Sequence, residues 1–284
     1  MHVGVVGAGK MGGAIARNLL DRGYRVSVWN VDRDMMAPLG HAGATLCEEL
    51  ERMVAGADAT IAMLWDDAVA AAISLGRVIP AMRSAALFIE SSTLSPRMYA
   101  MLEAAALQRG IDFLACPVLG SVEGARDGTL TILPGGSDRA FERAKELLGA
   151  MGSTIKFTGS PSASGHLKLA YNSMLCVNAD AIGELLGVMR RAGVDRGLAV
   201  DTLMQALERI ATKRQQLRER DTKARFSANA LVKDLRLARN ARRDLGVDAP
   251  ILERALTEYE TAVETGIGEQ DYIAVGLVLE QADT

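Results

Sequence analysis

Three glycines, Gly7, Gly9 and Gly12, spaced as G-x-G-x-x-G, constrain the fold of this chain more than any other feature. An apolar run at residues 3–6 leads into them, an amphipathic stretch at 10–22 leads out, and a second apolar run follows at 26–29. A strand, a tight glycine turn, a helix and a second strand within about 30 residues form the unit that binds the pyrophosphate of a dinucleotide. Each glycine has its own task there. Gly7 allows the turn, Gly9 lets the backbone approach the phosphates, and Gly12 lets helix and strand close up. With Ala8, Lys10 and Met11 they form the expected cradle, in which the free N–H groups of the helix N-terminus face the phosphate charge.

The alternation continues beyond this unit. Apolar runs at 60–64, 86–90, 113–115, 130–133 and 155–157 read as strands, with helical stretches such as 67–75 and 97–109 between them. Strands alternating with helices predict a mainly parallel sheet covered on both faces. From about residue 162 the pattern changes. Residues 165–191 read as one long helix, followed by helical periods at 196–206, 228–245 and 251–264, with no strand after residue 157. The expected fold is an α/β N-terminal domain of Rossmann type, residues 1–161, joined by a long helix to an all-α C-terminal domain, residues 162–284.

Composition narrows the function classes. The 284 residues are 49% apolar, enough for a sizeable core, and a net charge of −3 speaks against a nucleic-acid partner. No run of about 18 apolar residues is present to span a bilayer. The N-terminus passes into a strand without a basic leader segment, so a cytoplasmic location is expected. Cys47, Cys116 and Cys176 lie far apart and lack metal-ligand spacing, so buried thiols and no metal site are expected. Helices as apolar as those of the C-terminal half need a partner surface, which points to a homodimer.

The second strand ends on Asn30, 18 residues after Gly12. A carboxylate at that place accepts hydrogen bonds from the ribose of NAD and repels the extra phosphate of NADP. An amide donates to a phosphate without repelling it, and Arg33, three residues on, can pair with a 2′-phosphate bidentately. Asp32 between them favours NAD if its side chain turns inward. NADP(H) is therefore the expected cofactor, with NAD(H) the second choice.

Longer segments carry a more specific signal. GKMGGAIARNLLDRGYRVSVWN (9–30), MLWDD (63–67), ESSTLSP (90–96), CPVLGSVEGARDGTLTILPGG (116–136), GHLKLAYNSM (165–174) and LVKDLRLA (231–238) fall in a characteristic order. In that order the chain resembles, along essentially its whole length, the β-hydroxyacid dehydrogenases, the family of 3-hydroxyisobutyrate dehydrogenase and of tartronate and succinic semialdehyde reductases. The resemblance implies an NAD(P)-dependent enzyme that interconverts a small hydroxy acid and its aldehyde or keto form. It implies Lys168 as catalytic acid and base with Asn172 as partner amide, and Met63, Leu64 and Thr93 as cofactor contacts. It also implies that Lys233, beside Asp234, reaches the nicotinamide and substrate, and that Gly120 and Ser121 hold a substrate carboxylate.

The spacing of the first pair agrees with its implied role. Residues i and i+4 share a helical face, and an ammonium with an amide facing one oxygen stabilises charge developing there. The chain departs from the family at Ala115, where an acid is usual, and at Leu119, where a serine is usual. Leu119 removes a donor and adds apolar bulk, which favours a less polar substrate if its side chain faces the pocket, whereas an inward-packed Leu119 belongs to the core. Ser164 stands at a glycine place with Gly165 following, which puts the helix start in question, and Trp65 stands where proline is common. His166 has no carboxylate near it in sequence and reads as a helix-start residue. Two other functions compete. An imine reductase-like NADPH enzyme shares the fold and the N-terminal signature but usually has aspartate or tyrosine in place of the lysine. A non-catalytic dinucleotide-binding regulator has no need of the Lys168–Asn172 pair.

Overall fold

The computed structural model of the protein describes residues 1–281 and contains two compact units, Met1–Ser173 and the residues from Met174 onward. The strands of the first unit are β1 (His2–Val6), β2 (Arg25–Trp29), β3 (Thr45–Leu46), β4 (Ala59–Ala62), β5 (Leu87–Glu90), β6 (Asp112–Ala115), β7 (Val118–Leu119), β8 (Leu130–Ile132), β9 (Gly135–Gly136) and β10 (Gly152–Ile155). Its helices are α1 (Lys10–Asp21), α2 (Ala37–His41), α3 (Leu50–Gly56), α4 (Asp67–Ala70), α5 (Ile79–Ala81), α6 (Pro96–Gln108), α7 (Val122–Asp127) and α8 (Asp138–Met151). Between α4 and α5 the chain winds through wider π turns, Ala71–Val78.

Seven strands form the main sheet in the order β3-β2-β1-β4-β5-β6-β9, parallel throughout except for β9, which runs antiparallel to β6. Both faces are covered, which is why these strands read as continuous apolar runs. Val5 and Ile89 enter the core beneath α1 and α8, while their neighbours Val6 and Phe88 enter the core beneath α3 and α6. The chain leaves β1 for β2 on one side and returns to β4 on the other. That reversal opens a crevice at the carboxyl ends of β1 and β4, the place where such sheets bind ligands.

The expected mainly parallel sheet is present, with differences in detail. The strand expected at 155–157 lies at Gly152–Ile155, where Gly152 pairs with Leu130 of β8 in a second, three-stranded sheet, β10-β8-β7. A Cβ at Gly152 would collide with the Leu130 carbonyl, so the position is set by close backbone approach. Phe157 instead stacks on Phe141, with ring centroids 4.6 Å apart. Of the three cysteines expected as buried thiols only Cys116 is buried, whereas Cys47 is half-buried and Cys176 exposed.

The long helix α9 (Pro161–Arg191) begins four residues before the expected start. Proline suits a first helical position because its missing N–H would be unpaired there anyway, and the Ser160 hydroxyl accepts the Ala163 N–H at 3.2 Å. Ser164 is buried and shares a 2.7 Å hydrogen bond with Thr158. Gly165 lies flat against α6, where a Cβ would stand 3.0 Å from the Tyr99 ring and 3.2 Å from Pro96. The turn is thus anchored by both residues, and the first turns of α9 pack with the sheet.

The second unit contains α10 (Arg196–Ala211), α11 (Arg214–Glu219), α12 (Ala228–Asp244), α13 (Pro250–Ala262) and α14 (Ala274–Gln281). Glu184 on α9 caps α13 by accepting the Ile251 and Leu252 N–H groups at 2.8 and 3.1 Å. Asp271 is fully enclosed and accepts from Lys213 Nζ at 2.8 Å, from Arg225 N–H at 2.9 Å and from Phe226 N–H at 3.4 Å. Burial alone would raise the pKa of this carboxyl, but its donors outweigh that and hold it below the usual range. Such a group stabilises the fold fully above about pH 4 and loses its contribution as pH falls through the lowered folded value. Asp271→Asn, which leaves the Lys213 ammonium unpaired in its enclosure, is expected to cost about 3 kcal/mol. Urea unfolding at pH 7 checks the cost, and repeating it below pH 4 should shrink the gap between variant and wild type. Among the described residues no helix is long and apolar enough to cross a membrane.

Candidate cofactor and active site

The glycine loop has the shape its spacing requires. Gly7 sits at φ +93° and donates its N–H to the Trp29 carbonyl at 2.9 Å, joining the ends of β1 and β2. A Cβ at Gly7 would strike the Met63 carbonyl, and one at Gly12 would strike the Gly7 carbonyl. Gly9, at the N-terminus of α1, faces open space, with no atom within 4 Å of where its Cβ would be. Among the described residues no side chain caps that terminus, which leaves its N–H groups for an anion. Here the loop borders a cleft of about 580 Å³ whose walls include Lys10, Met11, Asn30, Met63, Leu64 and Trp65. A crevice of the same volume at the other end of α1, around Arg22 and Tyr24, has none of these features.

The cleft fits a dinucleotide, since two glycines are enforced by neighbouring backbone while the third is left open on the cleft side. Asn30 has a second task that the sequence did not reveal. Its Oδ1 accepts the Ala8 N–H at 3.1 Å and its Nδ2 donates to the Asp32 carbonyl at 2.8 Å. One amide N–H therefore remains for a ligand. Arg33 is exposed and pairs with Glu48 at 3.2 Å, a surface pair weak enough to exchange for a phosphate. Asp32 accepts the Asp34 N–H at 3.1 Å, which engages its carboxylate in the turn. Trp65, 87% exposed, stands at the rim. Thr93 projects outward between buried Ser92 and Leu94 in the loop after β5.

The proposed substrate loop follows β7. Gly120 has φ +138°, and a Cβ there would press on the Leu130 side chain at 2.8 Å. Ser121 caps α7 by accepting the Gly124 N–H at 3.3 Å. The Ser121 hydroxyl beside Glu123 holds that carboxyl below its ordinary range. Leu119 is half-buried in β7, opposite Thr131, and is not among the core residues. Lys168, also half-buried, donates from Nζ to the Val118 carbonyl at 2.8 Å, and the Tyr171 ring lies 5.8 Å away. Burial pushes the pKa of this lysine down. Asn172 follows one turn later and is also half-buried, while His166 is exposed.

The first unit thus brings Lys168 to the mouth of the Gly120–Ser121 loop and gathers the glycine loop, Asn30, Met63 and Leu64 around one cleft. Lys233 lies in the second unit, exposed on α12 and paired with Asp234 at 3.0 Å. Sequence reasoning missed the Val118 carbonyl, which has no side-chain signature. It also missed Glu90, whose signal was a lone acid closing the apolar run of β5.

Comparison with known proteins matches both halves of the chain. A family model for the NAD binding domain of 6-phosphogluconate dehydrogenase fits residues 2–159. A second, for the NAD-binding region of NADP-dependent 3-hydroxyisobutyrate dehydrogenase, fits residues 163–279. NAD-dependent L-serine dehydrogenase of Pseudomonas aeruginosa is 30% identical, with 96% of each chain covered. Mitochondrial 3-hydroxyisobutyrate dehydrogenase of Drosophila melanogaster is 26% identical over 96% of this chain and 88% of its own length. Among solved structures, an imine reductase of Myxococcus stipitatus in complex with NADP+ superposes with a TM-score of 0.89 at 20% identity, covering 98% of this chain and 100% of that one. At that identity the likeness is one of fold.

Proposed function

The chain belongs to the β-hydroxyacid dehydrogenase family and is an NAD(P)-dependent oxidoreductase, and from that premise we propose that it interconverts a small hydroxy acid and its aldehyde or keto form, with Lys168 as general acid and base. The observation that carries this reading is the 2.8 Å bond from Lys168 Nζ to the Val118 carbonyl. It fixes the ammonium at the mouth of the loop proposed to hold the substrate and leaves two of its three N–H donors free.

The dinucleotide supplies or accepts the hydride when bound; the chain supplies the rest. Gly120 and Ser121 hold the substrate carboxylate, which sets the carbonyl or hydroxyl oxygen against Lys168. In reduction the Nζ ammonium stabilises charge rising on that oxygen and delivers a proton to it. In oxidation the neutral amine takes the hydroxyl proton, and burial of Lys168 makes the neutral form easier to reach. Asn172, one turn further along the same face, orients the same oxygen by donating from its amide. Leu119 favours an apolar group on the substrate's carbon chain.

NADP(H) is the favoured cofactor on this reading, because Asn30 offers an amide where NAD-selective sites have a carboxylate and the partner of Arg33, Glu48, is exposed. Arg33→Ala is expected to weaken NADPH binding about tenfold and leave NADH binding unchanged. Side-by-side fluorescence titrations check it, and equal losses for both cofactors would place Arg33 away from the 2′-phosphate. A homodimer in the cytoplasm completes the proposal. Exposed apolar residues on α9 and α10, among them Leu167, Met174, Leu175, Leu198 and Met204, support the dimer. The function is tested by turnover on small 3-hydroxy acids with NAD(P)+ and on their semialdehydes with NAD(P)H. Tight dinucleotide binding with no turnover on either class would overturn it in favour of a non-catalytic binding protein.

A further inference from the structure

Strand β5 ends on a carboxyl group that, among the described residues, no cation accompanies. Glu90 is completely enclosed, and its hydrogen-bond donors are neutral. Ser74, within the π turns, donates to Oε2 at 2.7 Å. The Ser92 N–H donates to Oε1 at 3.2 Å, and the Ser92 hydroxyl donates to the same oxygen. That hydroxyl in turn accepts the Leu64 N–H at 2.7 Å. Packing alone would be served by leucine here, because a buried carboxylate is costly unless fully bonded. What the carboxylate adds is direction, since a satisfied buried network specifies one arrangement of its members.

The members of this network all lead toward the site. Leu64 lines the cofactor cleft, as do Val69 and Ile73 in the turns leading to Ser74. Ser92 precedes Thr93, and its carbonyl accepts the hydroxyl of buried Tyr99. The Tyr99 ring is the surface on which Gly165 sits, three residues before Lys168. The Glu90 carbonyl accepts the Cys116 N–H at 2.7 Å, two residues before the Val118 carbonyl that Lys168 holds. Wider π turns recur at functional sites, and here they deliver one of the donors.

We propose that Glu90 is a positioning residue whose carboxylate fixes the cofactor-facing loops after β4 and β5 and, through Ser92 and Tyr99, the first turns of the helix that carries Lys168. The proposal rests on the reading of the cleft as the dinucleotide site. It concerns the ionised carboxylate, because protonation turns one acceptor position into a donor and leaves a serine hydroxyl or the Ser92 N–H without its acceptor. Burial raises this carboxyl to about 7 against the pull of the Ser74 and Ser92 donors. The titratable groups facing it are Tyr99 from α6 and Cys116 after β6, both pushed upward by burial and by the charge of Glu90, with Asp67 acting on Tyr99 from α4.

The test is the dissociation constant of the wild-type protein for its tighter-binding nicotinamide dinucleotide, by fluorescence between pH 6 and 8.5, beside Glu90→Gln. Wild-type affinity is expected to tighten about tenfold as pH rises through the Glu90 titration. Glu90→Gln, which resembles the protonated acid, should hold the weaker value and lose that step; the ligand's own titration cancels in the comparison. Ser74→Ala, which removes one donor, should move the wild-type midpoint to higher pH, and it keeps the test decisive if Glu90→Gln does not fold. A Glu90→Gln protein that follows the wild-type curve, or an unmoved midpoint in Ser74→Ala, overturns the proposal. Wild-type protein that binds neither dinucleotide overturns the reading of the cleft and this proposal with it.

Discussion

Replacing Lys168 with methionine is expected to lower kcat about a thousandfold in both directions and to leave the dinucleotide Kd within about a factor of two. Methionine keeps most of the apolar stem and removes the group proposed to hold the proton at the mouth of the Gly120–Ser121 loop. Burial lowers the lysine pKa from 10.5, so the sign of the pH dependence follows. Oxidation, which needs the neutral amine, quickens as pH rises through the lowered value, while reduction, which needs the ammonium, slows over the same range. Both limbs vanish in Lys168→Met. A partly desolvated ammonium also costs stability, because the unfolded chain binds that proton more tightly. Loss of the Val118 hydrogen bond acts the other way, so the variant should melt close to wild type, which separates lost chemistry from lost fold. Steady-state kinetics from pH 6 to 10 with a parallel thermal melt check both halves, and retained turnover removes Lys168 from the proton transfer.

Two neighbouring glycines should fail in different ways. In Gly12→Val the new Cβ falls on the Gly7 carbonyl and lies 3.2 Å from Met63 Cβ, so backbone has to move. Overpacking of this kind costs about 1–3 kcal/mol. It also pries apart the strand and helix that shape the loop, so the melting temperature drops and dinucleotide affinity falls about a hundredfold. Gly9→Ala is the contrast. Its φ of −67° and ψ of −168° are open to alanine, and its Cβ direction is empty. The fold should melt as wild type while Kd rises about tenfold, because the methyl group takes space that the phosphates need. Titrations and melts on both proteins check the pair. Unimpaired binding by Gly9→Ala would move the phosphates off that face.

What the sequence disclosed follows from range. The glycine loop and the long apolar runs are local signals, and β1, β2, β4, β5 and β6 lie where those runs are. Strands of two residues, Thr45–Leu46, Val118–Leu119 and Gly135–Gly136, carry no period and exist through their pairing partners. The site divides in the same way. Lys168 is singled out by resemblance and helical spacing, but its contact is a backbone carbonyl 50 residues away that no pattern marks. Ser121 was read as a substrate ligand, although its place ahead of a short helix already suited it to capping, which it does. Glu90 escaped because an acid at a strand end reads as exposed until the helices packed over it are known.

The two hydrogen bonds of Asn30 reach beyond binding, to the mutational paths open to this chain. One amide holds the glycine loop through Ala8 and the following turn through Asp32. An aspartate at this place would still accept from Ala8, but it would set a negative oxygen against the Asp32 carbonyl and disturb the turn that carries Arg33. On the proposed reading of Asn30, the single change that trades one dinucleotide for the other therefore also unsettles the turn beside it. If Asn30 faces the ribose as proposed, a lineage that makes the trade has to alter residues 31–34 at the same time or pass through a poorer enzyme, and its cofactor preference resists drift.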